Sequence, residues 1–250
     1  MKQQSMSKCV PNKITIVLNL LFLLDAIWQI WALATHHTDQ TLISKFLLCF
    51  ILALLLSQQL ANKLPLKILA AVLFCLAGDI LLQPLDLNYA DMTGTRPINF
   101  VLGVLCFCAA YGNLARYYLA LNPDWREDIK AQPLPLVANI LITLAVLIWI
   151  TLNNQAPAYL LLVLWLYSPI VVGAATLAVY TRSKLQFLPY LALVLGSNVI
   201  VFSDTIIGLT AFVGVTMPWF SNPIWILSTY ILGIFLVFNA ILCIEKTANV

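Results

Sequence analysis

The sequence has 250 residues, of which 62% are hydrophobic and 9% are charged, and its mean hydropathy is +0.95. Soluble domains are about half apolar and about a quarter charged, so this composition excludes a soluble globular protein. The formal net charge of +3 is small, and the placement of the basic residues described below explains it without a nucleic-acid partner.

Eight apolar stretches follow one another along the chain, separated by short polar segments. Each is close to the ~20 residues that a helix needs to cross ~30 Å of hydrocarbon. Lipid leaves free backbone groups without partners, and these runs lack the alternation of barrel strands, so we predict an all-α, polytopic helix bundle. We expect a single membrane domain over residues 1–250, with helices at about 14–34, 41–60, 64–83, 97–120, 133–152, 157–180, 188–212 and 222–244.

Lysine and arginine in the connecting segments predict the orientation, because short cytoplasmic loops carry an excess of basic residues. With the N-terminus in the cytoplasm, Arg96 is the only basic residue in an outer loop, and Lys45 lies within a span. The other basic residues then lie on the inner side: Lys2, Lys8, Lys13, Lys63, Lys67, Arg116, Arg126, Lys130, Arg182, Lys184 and Lys246. We therefore predict an integral, multi-pass protein of the plasma or inner membrane with both termini in the cytoplasm.

Four ionisable residues lie inside the predicted spans: Asp25, Lys45, Asp79 and Asp204. An ionisable group in hydrocarbon is costly unless it is paired or hydrated, so such residues usually face the bundle interior and mark function. Counted at ~1.5 Å per residue from the inner side, Lys45, Asp79 and Asp204 lie ~22–24 Å deep and Asp25 ~18 Å deep. Three charged groups are thus expected to share one layer in the outer half of the membrane.

This layer has more than one interpretation. In the first, Lys45 neutralises an aspartate as a buried pair that only fixes how the helices pack. In the second, two acids against one base leave a carboxyl group unpaired, and such a group tends to hold its proton, as a general acid must. The same charges are also typical of a proton-coupled transporter of lipids or small molecules, although Pro169 is the only proline well inside a span and no broken helix is predicted.

The third and seventh spans resemble each other. GDILL at Gly78 and SDTII at Ser203 share a small residue, an aspartate and two aliphatic residues. In the spans that follow them, FVLGVL at Phe100 is similar to YILGIF at Tyr230. A duplication of four helices with parallel halves would explain both similarities. It would place Asp79 and Asp204 at equivalent positions facing each other.

These segments, in the longer stretches NFVLGVLCFCAAY, LGSNVIVFSDTIIG and STYILG, resemble the YhhN-like lysoplasmalogenase family of integral membrane proteins. The resemblance covers nearly the whole chain in order and spacing. It implies hydrolysis of the vinyl ether bond of lysoplasmalogens, which releases a fatty aldehyde and glycerophosphoethanolamine or glycerophosphocholine. It also implies a lysophospholipid substrate drawn from the membrane, and neither a metal nor an organic cofactor.

The resemblance assigns roles to matching positions. The two motif aspartates of the family fall on Asp79 and Asp204, as catalytic residues, and a lysine near the start of the second helix falls on Lys45, as a supporting residue. A vinyl ether is hydrolysed by proton transfer to carbon, followed by capture of the resulting cation by water, so the reaction needs one protonated and one ionised carboxyl group. We expect Asp79, one helix after Lys45, to be the ionised one. Asp25 is expected to orient Lys45 or to line the cavity.

Four polar residues are candidate contacts for the substrate headgroup: Tyr111, Ser197, Asn198 and Tyr230. Hydrogen bonds between helices are the alternative role for each of them. The sequence departs from the family pattern where a histidine is frequent, which is Tyr111 here, and near a frequent glutamine in the last helix, where Ile234 lies. These departures concern the identity of the substrate more than the type of reaction.

Overall fold

The computed structural model describes residues 13–59, 66–82, 96–214 and 222–248. Within these ranges the chain forms helices joined by turns and contains no strand, so the predicted all-α fold is confirmed. The helices are α1 (Lys13–Ala34), α2 (Thr38–Gln59), α3 (Leu66–Leu82), α4 (Arg96–Leu121), α5 (Trp125–Ala131), α6 (Leu134–Leu152), α7 (Ala158–Val179), α8 (Phe187–Val213) and α9 (Pro223–Ala248), with a 3-10 turn at Arg182–Lys184.

The eight long helices lie at the eight predicted spans, and their ends differ from the prediction by a few residues. Seven of them are long and apolar enough to cross a membrane. The remaining one, α3, has 17 described residues, which is the lower end of the range of about 17–25 that spans a bilayer. Large aliphatic side chains are exposed along α1, α6 and other helices, as lipid-facing surfaces require. The chain is an integral, multi-pass membrane protein.

The short helix α5 was not predicted, because its sequence WREDIKA has no apolar run that a hydropathy window detects. Glu127 and Asp128 lie in its first turn and Lys130 in its last, where each charge complements the helix dipole. The N–H group of Gln132 closes the helix by donating to the carbonyl oxygen of Asp128. The segment between α4 and α6 is therefore ordered by charge rather than by burial.

Glycines allow two pairs of helices to approach closely. A Cβ atom on Gly103 of α4 would lie 3.3 Å from the carbonyl oxygen of Gly78 on α3. A Cβ atom on Gly196 of α8 would lie 2.8 Å from the carbonyl oxygen of Gly233 on α9. Small residues at such contacts let helix backbones approach in the absence of a hydrophobic driving force within lipid. The pairs α3/α4 and α8/α9 have the most extensive helix contacts in the described part of the chain.

The two pairs occupy corresponding places in the two predicted halves. Gly103 and Gly233 are the equivalent glycines of FVLGVL and YILGIF, and each lies at the close contact of its own pair. Across the halves, α4 packs against α7, and α9 packs against α1 and α2. This arrangement supports the predicted duplication with parallel halves.

Hydrogen bonds join the ends of α4 and α7 on one side of the bundle. Lys184 donates to the Asp124 carboxylate over 2.8 Å, and this hydrogen bond raises the pKa of Lys184. The Asn122 amide donates over 2.6 Å to the carbonyl oxygen of Tyr180. The segments after α4 and α7 therefore share one side, as the predicted topology requires. That this side is cytoplasmic stays a prediction.

Candidate active site

Asp79 lies on α3 beside two groups that stabilise negative charge. The Tyr230 hydroxyl, from α9, donates to Asp79 Oδ2 over 3.0 Å. The Lys45 ammonium, from α2, donates to the backbone carbonyl oxygen of Asp79 over 3.4 Å and interacts electrostatically with its carboxylate. Asp79 is buried because Gly78 brings α3 against the Phe107 ring of α4, within 3.0 Å of where a Cβ atom would be. The structure thus brings Lys45 and Asp79 together.

A small cavity of about 30 Å³ opens beside this pair, between α1, α2, α3 and α9. Its polar lining residues are Gln29, Lys45, Asp79 and Tyr230, and Cys49 and Cys75 also face it. The rest of the lining is aliphatic or aromatic: Phe22, Leu48, Leu52, Val72, Leu227, Ile231, Ile234 and Phe238. An apolar wall with a few polar groups is the usual composition of a small-molecule site.

Asp204 lies on α8, partly buried, and its neighbours differ from those of Asp79. The Tyr167 hydroxyl, from α7, donates a hydrogen bond to Asp204 Oδ2. Asp204 lines two small cavities, one of about 70 Å³ between α6, α7 and α8 and one of about 30 Å³ bounded by α3, α4, α7 and α8. The residues that line these two cavities carry no basic group. Asp204 and Asp79 therefore share no cavity among those described.

Aromatic residues fill the space between the two carboxylates. The ring of Phe107 lies 6.1 Å from that of Tyr230 and 6.0 Å from that of Tyr111, centre to centre. The Tyr111 ring lies in turn 6.1 Å from that of Tyr167. The Tyr111 hydroxyl is buried and interacts electrostatically with both carboxylates, although its geometry falls short of a hydrogen bond to any described residue. Tyr111 thus marks the point between the two acids, which also interact with each other.

Asp25 does not contact Lys45 in the described structure. Its Oδ1 atom accepts a hydrogen bond of 3.0 Å from the Ser44 hydroxyl, one residue before Lys45 on α2. Asp25 is buried but does not line the cavity beside Asp79. Asp25 can therefore affect Lys45 only indirectly, by fixing the position of α2 relative to α1.

The four candidate headgroup contacts separate into two groups. Tyr111 and Tyr230 lie beside the carboxylates, as described above. Ser197 lies beside Tyr118, and Asn198 is exposed and donates to the Val194 carbonyl oxygen of its own helix. The structure does not bring Ser197 or Asn198 to either carboxylate or into the three cavities that the carboxylates line.

Two residues of the site were not predicted as such. Tyr167 is one of them. Its position in the middle of a span, two residues before Pro169, was the available signal, because a tyrosine hydroxyl buried in the membrane needs a hydrogen-bond partner. Gln29 is the other; the sequence shows it only as a polar residue four positions after Asp25, on the same face of the first span. Its 0% exposure and its place in the cavity beside Asp79 make it part of the site.

The arrangement holds two acids in different surroundings at a buried place. Asp79 has a cation and a hydroxyl donor, which favour its ionised form. Asp204 has hydroxyl groups and no basic group in its cavities. Two carboxyl groups that differ in this way can divide acid and base roles between them.

The comparisons with known proteins agree with the resemblance seen in the motifs. Neither curated proteins nor solved structures gave a match to the sequence. The model of the YhhN family matches residues 40–241, which include α3, α4, α7, α8 and both aspartates but not α1. Since this match covers most of the sequence, the chain belongs to the YhhN family of membrane proteins.

Proposed function

We propose that this protein hydrolyses the vinyl ether bond of lysoplasmalogens by acid–base catalysis between Asp204 and Asp79. The observation that carries the proposal is the pair of interacting intramembrane carboxyl groups, of which one has a lysine beside it and the other does not. The proposed reaction needs one protonated and one ionised acid, and different surroundings of the two carboxyl groups favour these two states. The family resemblance supplies the substrate class, and the two aspartates are its matching motif residues.

In the proposed reaction, the vinyl ether reaches both carboxyl groups beside Tyr111, which requires the aromatic side chains between the two acids to move apart when the substrate binds. Protonated Asp204 transfers its proton to the double-bond carbon that is not bonded to the ether oxygen. The other carbon and the oxygen then form an oxocarbenium ion. The Asp79 carboxylate stabilises this cation and takes a proton from the attacking water, which forms a hemiacetal. The hemiacetal collapses to the aldehyde and the free glycerol hydroxyl. Asp79 then releases its proton and Asp204 regains one by exchange with water before the next turnover, so the cycle consumes only water.

The shape of the site supports a substrate with one hydrocarbon chain. The lining of the cavity beside Asp79 is mostly apolar, so it suits an alkenyl chain better than a polar solute. Lys45 and Gln29 lie in the same cavity and suit the polar end of a lysolipid. A lipid of this kind is expected to reach the site from the bilayer, between helices.

The direct test is an assay of the purified protein in detergent with lysoplasmenylethanolamine and its ester-linked counterpart, in which released aldehyde is measured. The wild type should release aldehyde from the vinyl ether only. Asp204→Asn and Asp79→Asn should each lower kcat by roughly 10²–10⁴-fold, the usual contribution of a positioned acid or base. Asp39→Asn, at an exposed acid in the first turn of α2, is the matched control and should keep full activity.

Two results would contradict the proposal: no aldehyde from the wild type, or full activity in both aspartate variants. The competing function is a proton-coupled carrier that uses the same charges. Such carriers commonly bind at interrupted helices, whereas each long helix here is continuous over its described range, including α7 at Pro169. Proton-coupled lipid uptake into proteoliposomes without aldehyde release would favour the carrier.

A further inference from the structure

Gln29 on α1 is a buried amide without a partner. Its side chain has 0% exposure, and neither its Nε2 nor its Oε1 atom makes a hydrogen bond to any described residue. A buried amide without hydrogen bonds is costly, and native proteins contain few such groups. Gln29 also lies before residue 40, where the family match begins, so the family motifs assign it no role. Its position therefore needs an explanation in this chain.

The amide faces the cavity that holds Lys45 and Asp79. Counted at ~1.5 Å per residue, Gln29 lies ~24 Å from the start of α1 and Asp79 lies ~20 Å from the start of α3, which runs in the same direction. The two residues are therefore at a similar depth. Lys45 and Tyr230, the other two polar residues of this lining, already donate to Asp79. Among the polar residues that line this cavity, Gln29 is therefore the one whose hydrogen-bonding groups remain available to a ligand.

The chemistry of the amide points to a particular ligand group. Its NH₂ group donates hydrogen bonds and its oxygen accepts them, and both are unpaired. A hydroxyl group both donates and accepts a hydrogen bond, so it can satisfy both parts of the amide. A carboxylate or phosphate oxygen would satisfy only the NH₂ group, and an ester would do the same. A lysolipid carries one such hydroxyl on the central carbon of its glycerol, next to the carbon that bears the ether oxygen.

We propose that Gln29 binds the free central hydroxyl of the lysolipid and so determines the specificity of this site for lipids with one chain. The inference rests on the proposed function for the substrate class. It is consistent with the geometry, because the hydroxyl and the ether oxygen are on neighbouring carbons. A residue that binds the hydroxyl therefore has to lie near Asp79, which stabilises the cation formed at the ether. A second acyl chain on the same oxygen removes the donor, so a lipid with two chains would leave the Oε1 atom of Gln29 without a partner.

The test measures binding rather than hydrolysis. The probe is a saturated ether lysophosphoethanolamine, which has no vinyl ether to cleave, and the comparison ligand is its deoxy analogue, in which hydrogen replaces the central hydroxyl. The dissociation constants of both are measured by calorimetry on the purified protein. The wild type should bind the hydroxyl ligand about tenfold or more tightly than the deoxy analogue, because the analogue leaves the amide unpaired.

Gln29→Leu should reduce this ratio to about one, by weakening the binding of the hydroxyl ligand alone. The control is Asn239→Leu, which removes another intramembrane amide, one that donates to Phe235 of its own helix and lies outside the cavity. It should leave the ratio unchanged. Gln29→Met serves the same purpose as Gln29→Leu if the latter protein does not fold.

Equal affinities in the wild type, or an unchanged ratio in both Gln29 variants, would overturn the assignment of Gln29. A preserved ratio in the wild type together with its loss in Gln29→Leu would support the assignment. The binding ligands are inert to hydrolysis, so the result is independent of the aldehyde assay. A protein that discriminates the two ligands but releases no aldehyde would contradict the proposed reaction and retain the lysolipid site.

Discussion

Asp79 and Asp204 occupy equivalent turns of two similar helices, α3 and α8, but their neighbours differ. Each accepts a hydrogen bond from a tyrosine of another helix, Tyr230 in one case and Tyr167 in the other. Only Asp79 has a lysine beside it. In the proposed reaction the two acids take different roles because the residues around them, rather than the acids themselves, differ.

The positions of the two donors clarify this divergence. Lys45 reaches Asp79 from α2, and Tyr167 reaches Asp204 from α7, which is the corresponding helix of the second half. A hydroxyl in place of an ammonium group leaves the second acid with hydrogen-bond donors but without a compensating charge. The protonated form of Asp204 and the ionised form of Asp79 are therefore the two states that the proposed reaction uses.

The largest expected effect comes from removing the charge that distinguishes the two acids. Lys45→Met should lower the free energy of unfolding by roughly 3–5 kcal/mol, because it leaves the ionised Asp79 carboxylate buried and uncompensated. The double variant Lys45→Met with Asp79→Asn should recover much of this loss, since neither charge remains. Thermal unfolding of the detergent-solubilised proteins measures both changes.

The same measurement has a control in the second half of the molecule. Asp204→Asn should change stability less than Asp79→Asn does, because no lysine loses its partner there. If Lys45→Met is no more stable when Asp79→Asn is added, Lys45 and Asp79 are not energetically coupled, and the comparison between the two acids fails.

Removing the two tyrosine hydroxyls should affect catalysis unequally. The hydrogen bond from Tyr167 becomes stronger as Asp204 loses its proton in the transition state, so Tyr167→Phe should lower kcat about 10–100-fold. Tyr230 donates to Asp79, which is ionised both before and during the proton transfer to carbon, so Tyr230→Phe should lower kcat only a fewfold. Steady-state kinetics of aldehyde release give both values.

Swapped effects, with the larger loss in Tyr230→Phe, would reverse the assignment of the two acids and make Asp79 the proton donor. Equal losses would indicate that the hydroxyls act as one unit. Both variants keep the aromatic ring, so the contacts of Phe107 with Tyr230 and Tyr111 are preserved. A loss of activity therefore reports the missing hydroxyl and not a change in packing.

The sequence was sufficient to predict the eight long helices, because hydropathy over about 20 residues measures whether a segment is more stable in lipid or in water. Counting residues along the spans predicted that Lys45 and Asp79 lie at a similar depth, since depth in a straight helix is proportional to residue number, and the structure brings the two together. Depth does not determine which way a side chain points around the helix axis. For this reason Ser197, a candidate headgroup contact from the sequence, lies beside Tyr118 in the structure and not at either carboxylate.

Contacts between distant helices were the part that could not be predicted. Tyr167 reaches Asp204 because α7 packs between α4 and α8, and that packing depends on side-chain shapes along several helices. Gln29 was visible as a polar residue in an apolar span, but only the structure shows that α1 places it in a cavity with Asp79. The short helix α5 was also missed, because its stability comes from terminal charges that hydropathy does not register.

The smallest expected effect compares the close helix contacts of the two halves. A Cβ atom on Gly196 would meet the backbone of α9 at 2.8 Å, and one on Gly103 would meet the backbone of α3 at 3.2 Å and beyond. Backbone cannot move aside as a side chain can, so Gly196→Ala should cost about 1–3 kcal/mol of stability and Gly103→Ala less. Gly112→Ala, where nothing lies within 4 Å, is the matched control and should be neutral or slightly stabilising, because alanine favours a helix over glycine. Thermal unfolding measures all three variants.

Equal losses at Gly103 and Gly196 would mean that α3 and α4 are packed as tightly as α8 and α9. The two halves would then differ only in the groups around their acids, and the divergence would be confined to the chemistry of the site.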